Sequence, residues 1–200
     1  LPRLDSVLAV VFLKHTAVPL WGDILGSVRG AFSGAEVCGA TVDMSVTDGT
    51  QWLSPEWGED SDILGSLTFM FFERSSARAM VLPDDPVAAG TMLRQVLDED
   101  ADARAVGLLI SDMRVDFNPL FREISHVRPE IVFFGGTAWA WSEPEGRRLF
   151  CGDAVLTRGV VLAVEGFDLR PARSGTPLFM GRIYDGARQR VMGMSLTAYF

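Results

Sequence analysis

Two glycine-bearing stretches hold the residue types in this chain that could recognise a ligand. The first reads Glu36-Val-Cys-Gly-Ala-Thr-Val-Asp43, the second Pro129-Glu-Ile-Val-Phe-Phe-Gly-Gly-Thr-Ala-Trp-Ala-Trp141. In each, an apolar run meets glycine, a small residue and threonine. Gly39 and Gly135 stand 96 positions apart, as do Thr41 and Thr137. Glycine inside a strand marks a bend or the close approach of another group. Bared backbone N–H groups beside a hydroxyl can receive a carboxylate or phosphate. On that basis Gly39, Thr41, Gly135, Gly136 and Thr137 would hold a ligand's anionic group. Asp112 follows an apolar run, and α/β sheets gather ligands at strand ends; it or Asp43 would hold a cationic group. Trp139 shares a strand face with Thr137, because strand side chains alternate, and could line an apolar pocket with Trp141. The ordinary roles of the same residues are packing glycines, turn aspartates and core tryptophans.

Cys38 lies beside the first glycine turn and joins this set of ligand-binding residues. A nucleophilic cysteine needs a base, and the chain has only His15 and His126. His15 follows the first apolar run, so a Cys38–His15 pair is the one enzymatic alternative; a buried, inert thiol is the plainer reading. Haem ligation by His15 or His126 is a second alternative. Two histidines and two cysteines (Cys38 and Cys151) without close spacing do not make a zinc site. No P-loop, dinucleotide-binding glycine motif, nucleophile elbow or His-Glu-x-x-His appears. No catalytic residue and no metal site are therefore assigned.

The chain has 200 residues, 48% of them hydrophobic, enough for one large domain or two tightly joined halves. A net charge of −8 argues against a nucleic-acid partner, which needs a basic face. Lys14 is the only lysine. Two cysteines do not form a disulfide framework, and their spacing does not say whether they meet. No apolar run reaches the ~18 residues of a membrane span, and no secretory signal opens the chain. These features together fit a reduced, cytoplasmic protein.

Hydrophobic patterning orders the elements. Ser6–Leu13 reads as a strand covered on both faces. Leu20, Trp21, Ile24, Leu25, Val28 and Phe32 recur at helical spacing, and a strand follows from Glu36. Trp52 and Trp57 sit in a polar excursion, where exposed aromatics could serve a partner protein. Ser66–Arg74 and Ala77–Leu82 read as a hairpin, and a helix follows over Val87–Leu97. The pattern then restarts: strand Ala105–Ile110, a helix capped by Asn118 with Pro119 at its first position, and strand Ile131–Phe134. Leu149–Gly152 and Ala154–Glu165 read as a second hairpin. The expected architecture is α/β (α+β), with mixed sheets covered by helices in two pseudo-symmetric repeated halves. Residues 1–97 and 98–180 would be the halves, and 181–200 an extension or the start of a following region.

This order of elements resembles the FIST sensory-domain family, in its N-terminal region. The matching stretches are Val106–Asp112, Gly135-Gly136-Thr137-Ala138 and Arg158-Gly-Val-Val-Leu-Ala-Val164, and the likeness runs from about Asp5 to Gly186. In Cys38-Gly39-Ala40-Thr41 the cysteine precedes the glycine, where the family places it after; Asp43 matches the family's acidic residue loosely, and Met113 replaces a glycine. The resemblance implies an intracellular sensory and signal-transduction module. It implies binding of small ligands such as amino acids, haem in some members, and a neighbouring signalling domain or partner protein. A second FIST region usually follows.

Overall fold

Strand β1 (Ser6–Leu13) has to be covered twice. Ala9, Val11 and Leu13 point into one apolar cluster. Leu8, Val10 and Phe12 point into another on the opposite face. This alternation follows from the two-residue period of a strand that is apolar throughout Val7 to Leu13. The rest of the molecule supplies the two covers.

The computed structural model describes residues 6–42, 45–47, 50–52, 64–72, 76–101, 103–111, 116–138, 144–157, 160–165, 180–185 and 190–195. After β1 come a 3-10 turn (His15–Leu20), α1 (Trp21–Ala31) and β2 (Glu36–Thr41). β3 (Ser45–Thr47) and β4 (Thr50–Trp52) pair as a small hairpin. β5 (Gly65–Phe72), β6 (Ala77–Leu82) and α2 (Pro86–Glu99) complete the first stretch. Then follow β7 (Ala105–Ile110), α3 (Asn118–Val127) and β8 (Val132–Thr137). β9 (Leu149–Cys151), β10 (Ala154–Leu156) and β11 (Val160–Glu165) come next, and β12 (Met180–Asp185) and β13 (Arg190–Ser195) form a last hairpin.

Two mixed sheets result, one ordered β10-β9-β2-β1-β5 and the other β6-β11-β7-β8. Each holds one parallel pair joined through a helix, β1–β2 and β7–β8, with an antiparallel strand on the far side of the pair's first member. α1 covers the outer face of the first sheet, packing Trp21, Leu25 and Val28 on Val11, Val37 and Phe150. α2 and α3 cover the outer face of the second through Leu93, Leu97, Leu120 and Ile124, against Val106, Leu108 and Phe133. The inner faces meet in a third cluster, where Leu8, Cys38, Ala40, Phe72 and Leu149 pack with Ala77 and Ala138. The layers are therefore helix, sheet, sheet, helix, an α/β architecture with mixed sheets under helices.

The expected hairpins are corrected by this layering. β5 and β6 do not pair with each other: β5 lies on β1, and β6 lies on β11 in the other sheet. β9 and β10 do form a hairpin, on β2, but β11 leaves it for the second sheet. In each place the next strand belongs to the other sheet. Local alternation cannot tell a hairpin from a crossover, because both present the same apolar period. The start of α3 also shifts. Asn118 is the first helical residue, and its backbone N–H donates to Asp116 Oδ1 at 3.0 Å. At α2, the Asp85 carboxylate caps by accepting from Ala88 N at 2.7 Å, with Pro86 first in the helix.

Arg128, just past α3, fastens the far end of α2. Its guanidinium donates to Leu97 O at 2.7 Å and to Ala103 O at 2.9 Å, and it pairs with Glu130. The hydrogen bond from Arg128 holds the Glu130 carboxyl below its ordinary range. One planar cation thus satisfies carbonyls that the helix end leaves open.

Two glycines set how closely the parallel pairs approach. Gly39 lies opposite Val11, and a Cβ there would fall 1.9 Å from the Val11 carbonyl oxygen. Gly135 lies opposite Leu108 with φ of 138°, and a Cβ would fall 1.8 Å from the Leu108 carbonyl oxygen. Gly39→Ala should therefore cost at least about 2 kcal/mol, since backbone must move to admit it. Gly26→Ala, on an exposed turn of α1 with open space around it, should gain about 0.5–1 kcal/mol of helix propensity. Urea midpoints of the two variants check both; a Gly39→Ala midpoint equal to wild type would show the approach is not required.

Candidate functional site

Among the described residues, the carboxyl ends of the two parallel pairs hold the buried polar side chains. Lys14 follows β1 and is 6% exposed; Ser111 follows β7 and is 5% exposed; Thr41 closes β2 and is fully buried. Each parallel ladder runs one residue past its strands, through Val42 N–H to Leu13 O at 2.8 Å and Ala138 N–H to Ile110 O at 2.6 Å. Strand ends of this kind are where α/β sheets collect ligands, because side chains leave the sheet there without breaking its ladder.

The segment before β9 closes over the end of β2. Thr41 N–H donates to Arg148 O at 2.9 Å, and Arg148 N–H donates to the Thr41 hydroxyl at 2.9 Å. The Arg148 guanidinium turns back on its own segment, donating to Arg147 O at 2.8 Å and to Glu145 O. Arg147 and Arg148 are both half-buried. Lys14, Arg147 and Arg148 therefore lie within a residue or two of the Leu13–Thr41 pair, in a chain of net charge −8.

The hairpin carrying these arginines is pinned to α1. The Trp21 ring stacks on Phe150 with centroids 4.4 Å apart, and its indole N–H donates to Gly152 O at 3.1 Å. Arg29 grips Asp153 through both guanidinium nitrogens at 2.9–3.2 Å, and holds that carboxyl below its ordinary value. Gly152 N–H donates to Val37 O at 2.9 Å.

The residues singled out in the sequence fall as follows. Cys38 and Ala40 are buried in the inner cluster, and Ala138, next to Thr137, is buried in the same cluster. The two glycine stretches, expected as turns, lie within β2 and β8, and a residue beside each is buried in the inter-sheet cluster. Their settings differ: Gly39 is buried within the first sheet, whereas Gly135 and Gly136 are exposed on β8. Asp43, Asp112, Trp139 and Trp141 lie outside the described residues. The Thr41 hydroxyl is engaged by the Arg148 backbone, a role that local sequence does not reveal because Arg148 lies 107 residues on.

The Cys38–His15 pairing meets a geometric obstacle. Cys38 lies opposite Val10, so roughly 15 Å of chain separates its level from His15. Cys38 also faces the inner cluster, while the 3-10 turn that His15 opens packs Ala17 and Val18 into the outer one. His126 is exposed in the last turn of α3.

Sequence reasoning missed Lys14, Arg147 and Arg148 as members of the site. One signal was present: a single lysine, placed at the end of the first strand, in a chain whose other side-chain cations are arginines.

A family model described as FIST N domain matches residues 7–177. No curated protein and no solved structure matches the chain.

Cys151, at the hairpin turn, carries a testable electrostatic consequence. Burial, and then the Glu36 carboxylate, push its thiol up to about 11. An unfolded thiol ionises near ~8.5. The fold favours the neutral thiol, so its contribution is fully present below that value and is lost as pH rises through about 11. Stability measured by urea denaturation should fall across this window, and Cys151→Ala should fall less. Equal slopes for the two proteins would remove the thiol from the account.

Proposed function

Because the chain belongs to the FIST N domain family, whose members are sensory and signal-transduction domains, we propose that it senses a small anionic ligand, amino-acid-like or a simple acid. The observation that carries this reading is the gathering of Lys14, Arg147 and Arg148 at the carboxyl end of the β1–β2 pair. The ligand's carboxylate is drawn to that cationic end. The end of β2, around Gly39 and Thr41, and the end of β8, around Gly135, Gly136 and Thr137, form the walls. Asp43 or Asp112 meets an ammonium group where the ligand carries one, and Trp139 covers its apolar part.

The signalling step follows from what the cations are attached to. Arg147 and Arg148 precede β9, a hairpin strand of the second stretch that lies on the first sheet. A ligand bound there stabilises the conformers in which hairpin, β2 and β1 are closed together, and it shifts the population toward them. A neighbouring signalling domain or partner protein reads that population.

A thermal-shift series with amino acids and small carboxylic acids tests the proposal. A ligand at 100 times its Kd adds about 2.7 kcal/mol, a rise of roughly 5–10 °C for a chain of this size. Lys14→Met and Arg147→Gln should shrink the rise, and 0.5 M salt should weaken it. A folded sample whose melting temperature stays put across the whole series would defeat the reading.

A further inference from the structure

The two cysteines of this chain are brought face to face. Cys38 on β2 is the register partner of Cys151 on β9. The neighbouring hydrogen bonds fix the kind of pair. Gly152 N–H donates to Val37 O, and Thr41 N–H donates to Arg148 O. Positions 37 and 41 of β2 are thus hydrogen-bonded positions, and such positions alternate along an antiparallel ladder. Cys38 and Cys151 therefore form a non-hydrogen-bonded pair, the kind in which Cα atoms approach to ~4.5 Å and side chains lean together. A disulfide needs Cα atoms about 4.4–6.8 Å apart. Both thiols point to the same face: Cys38 is buried in the inner cluster, and Cys151 packs against that cluster.

We propose that Cys38 and Cys151 are an oxidative modification site that closes as a cross-strand disulfide between β2 and β9. The bond would join the first sheet's own strand to the hairpin supplied by the second stretch, and would enclose everything from Gly39 to Phe150 in one covalent ring. The oxidant is a hydroperoxide. Cys151, the more exposed of the two, reacts first as its thiolate: sulfur attacks the peroxide oxygen, the O–O bond breaks, and a sulfenic acid and water result. The Cys38 sulfur then attacks the Cys151 sulfur. The S–O bond breaks, and hydroxide leaves with the Cys38 proton as a second water. Two thiols and one hydrogen peroxide become one disulfide and two waters; the sulfurs lose two electrons and the peroxide gains them. The first step is slow because the thiol is held neutral, and the second is fast because the partner is already in place. Such a site answers sustained oxidant and ignores brief exposure. It does not depend on the ligand proposed above.

The test treats the reduced, folded protein with hydrogen peroxide for hours and follows intact mass, a non-reducing peptide map and melting temperature. The expected product is a monomer about 2 Da lighter, with the Cys38 and Cys151 peptides linked. Its melting temperature should be raised by roughly 5–10 °C and restored by dithiothreitol. Cys38→Ala should stop at a Cys151 adduct or a dimer. The proposal is overturned if wild type gains oxygen on Cys151 while Cys38 stays alkylatable after unfolding, or if the link forms only between chains. The wild-type peptide map decides the matter alone should Cys38→Ala fail to fold.

Discussion

A strand that is apolar at every position from Val7 to Leu13 cannot leave either face in water. β1 is that strand here, and burying it twice is the constraint from which the layering follows. One cover is α1 with the stacked Trp21 and Phe150; the other is the inner face of a second sheet. Each large side chain moved from water into such a cluster contributes about 1.5–3 kcal/mol. The two clusters around β1 thus outweigh any gain from a local hairpin between β5 and β6. Past β5 the chain enters the other sheet, where β6 pairs with β11.

The same crossing makes the candidate site. β9 and β10 belong by chain position with the second sheet, yet they extend the first. Their arrival brings Arg147 and Arg148 to the end of β2, where Thr41 N–H donates to Arg148 O and the Thr41 hydroxyl accepts from Arg148 N–H. It also sets Cys151 against Cys38. Both features join residues more than a hundred positions apart, and both lie on one interface between the two stretches of chain. Among the described residues that interface includes the Trp21–Phe150 stack, the indole hydrogen bond, the bidentate Arg29–Asp153 pair and the short β2–β9 ladder. The exposed Arg29–Asp153 pair adds little by itself, so stacking and the ladder carry most of the contact.

The glycines acquire a definite meaning from the pairing. In a sequence, glycine before a small residue and threonine reads equally as a nest for an anion or as room for a neighbouring strand. At Gly39 and Gly135 the room is for a carbonyl of the adjacent strand. The backbone's closeness is what lets Cys38 and Ala40 on one side, and Ala138 on the other, reach one core.

Much of the fold was legible from composition and period. The bounds of β1, β6 and β7, the helices after Pro19, Pro86 and Pro119, and the α/β class follow from local physics: apolar runs, helical stripes, proline and glycine punctuation. The family was legible for the same reason, since its signature is an order of such elements. What the sequence by itself determined is which segments are strands and helices and which faces they must bury. Only the tertiary structure decided which strand each of them pairs with, and hence that β5 and β6 part company. It also decided that Thr41 meets Arg148, that Lys14 and Arg148 leave the same end of the first sheet on either side of β2, and that Cys38 meets Cys151. The physical reason is that burial depends on each residue's own chemistry, whereas pairing depends on the free energy of the whole sandwich, which no local window contains.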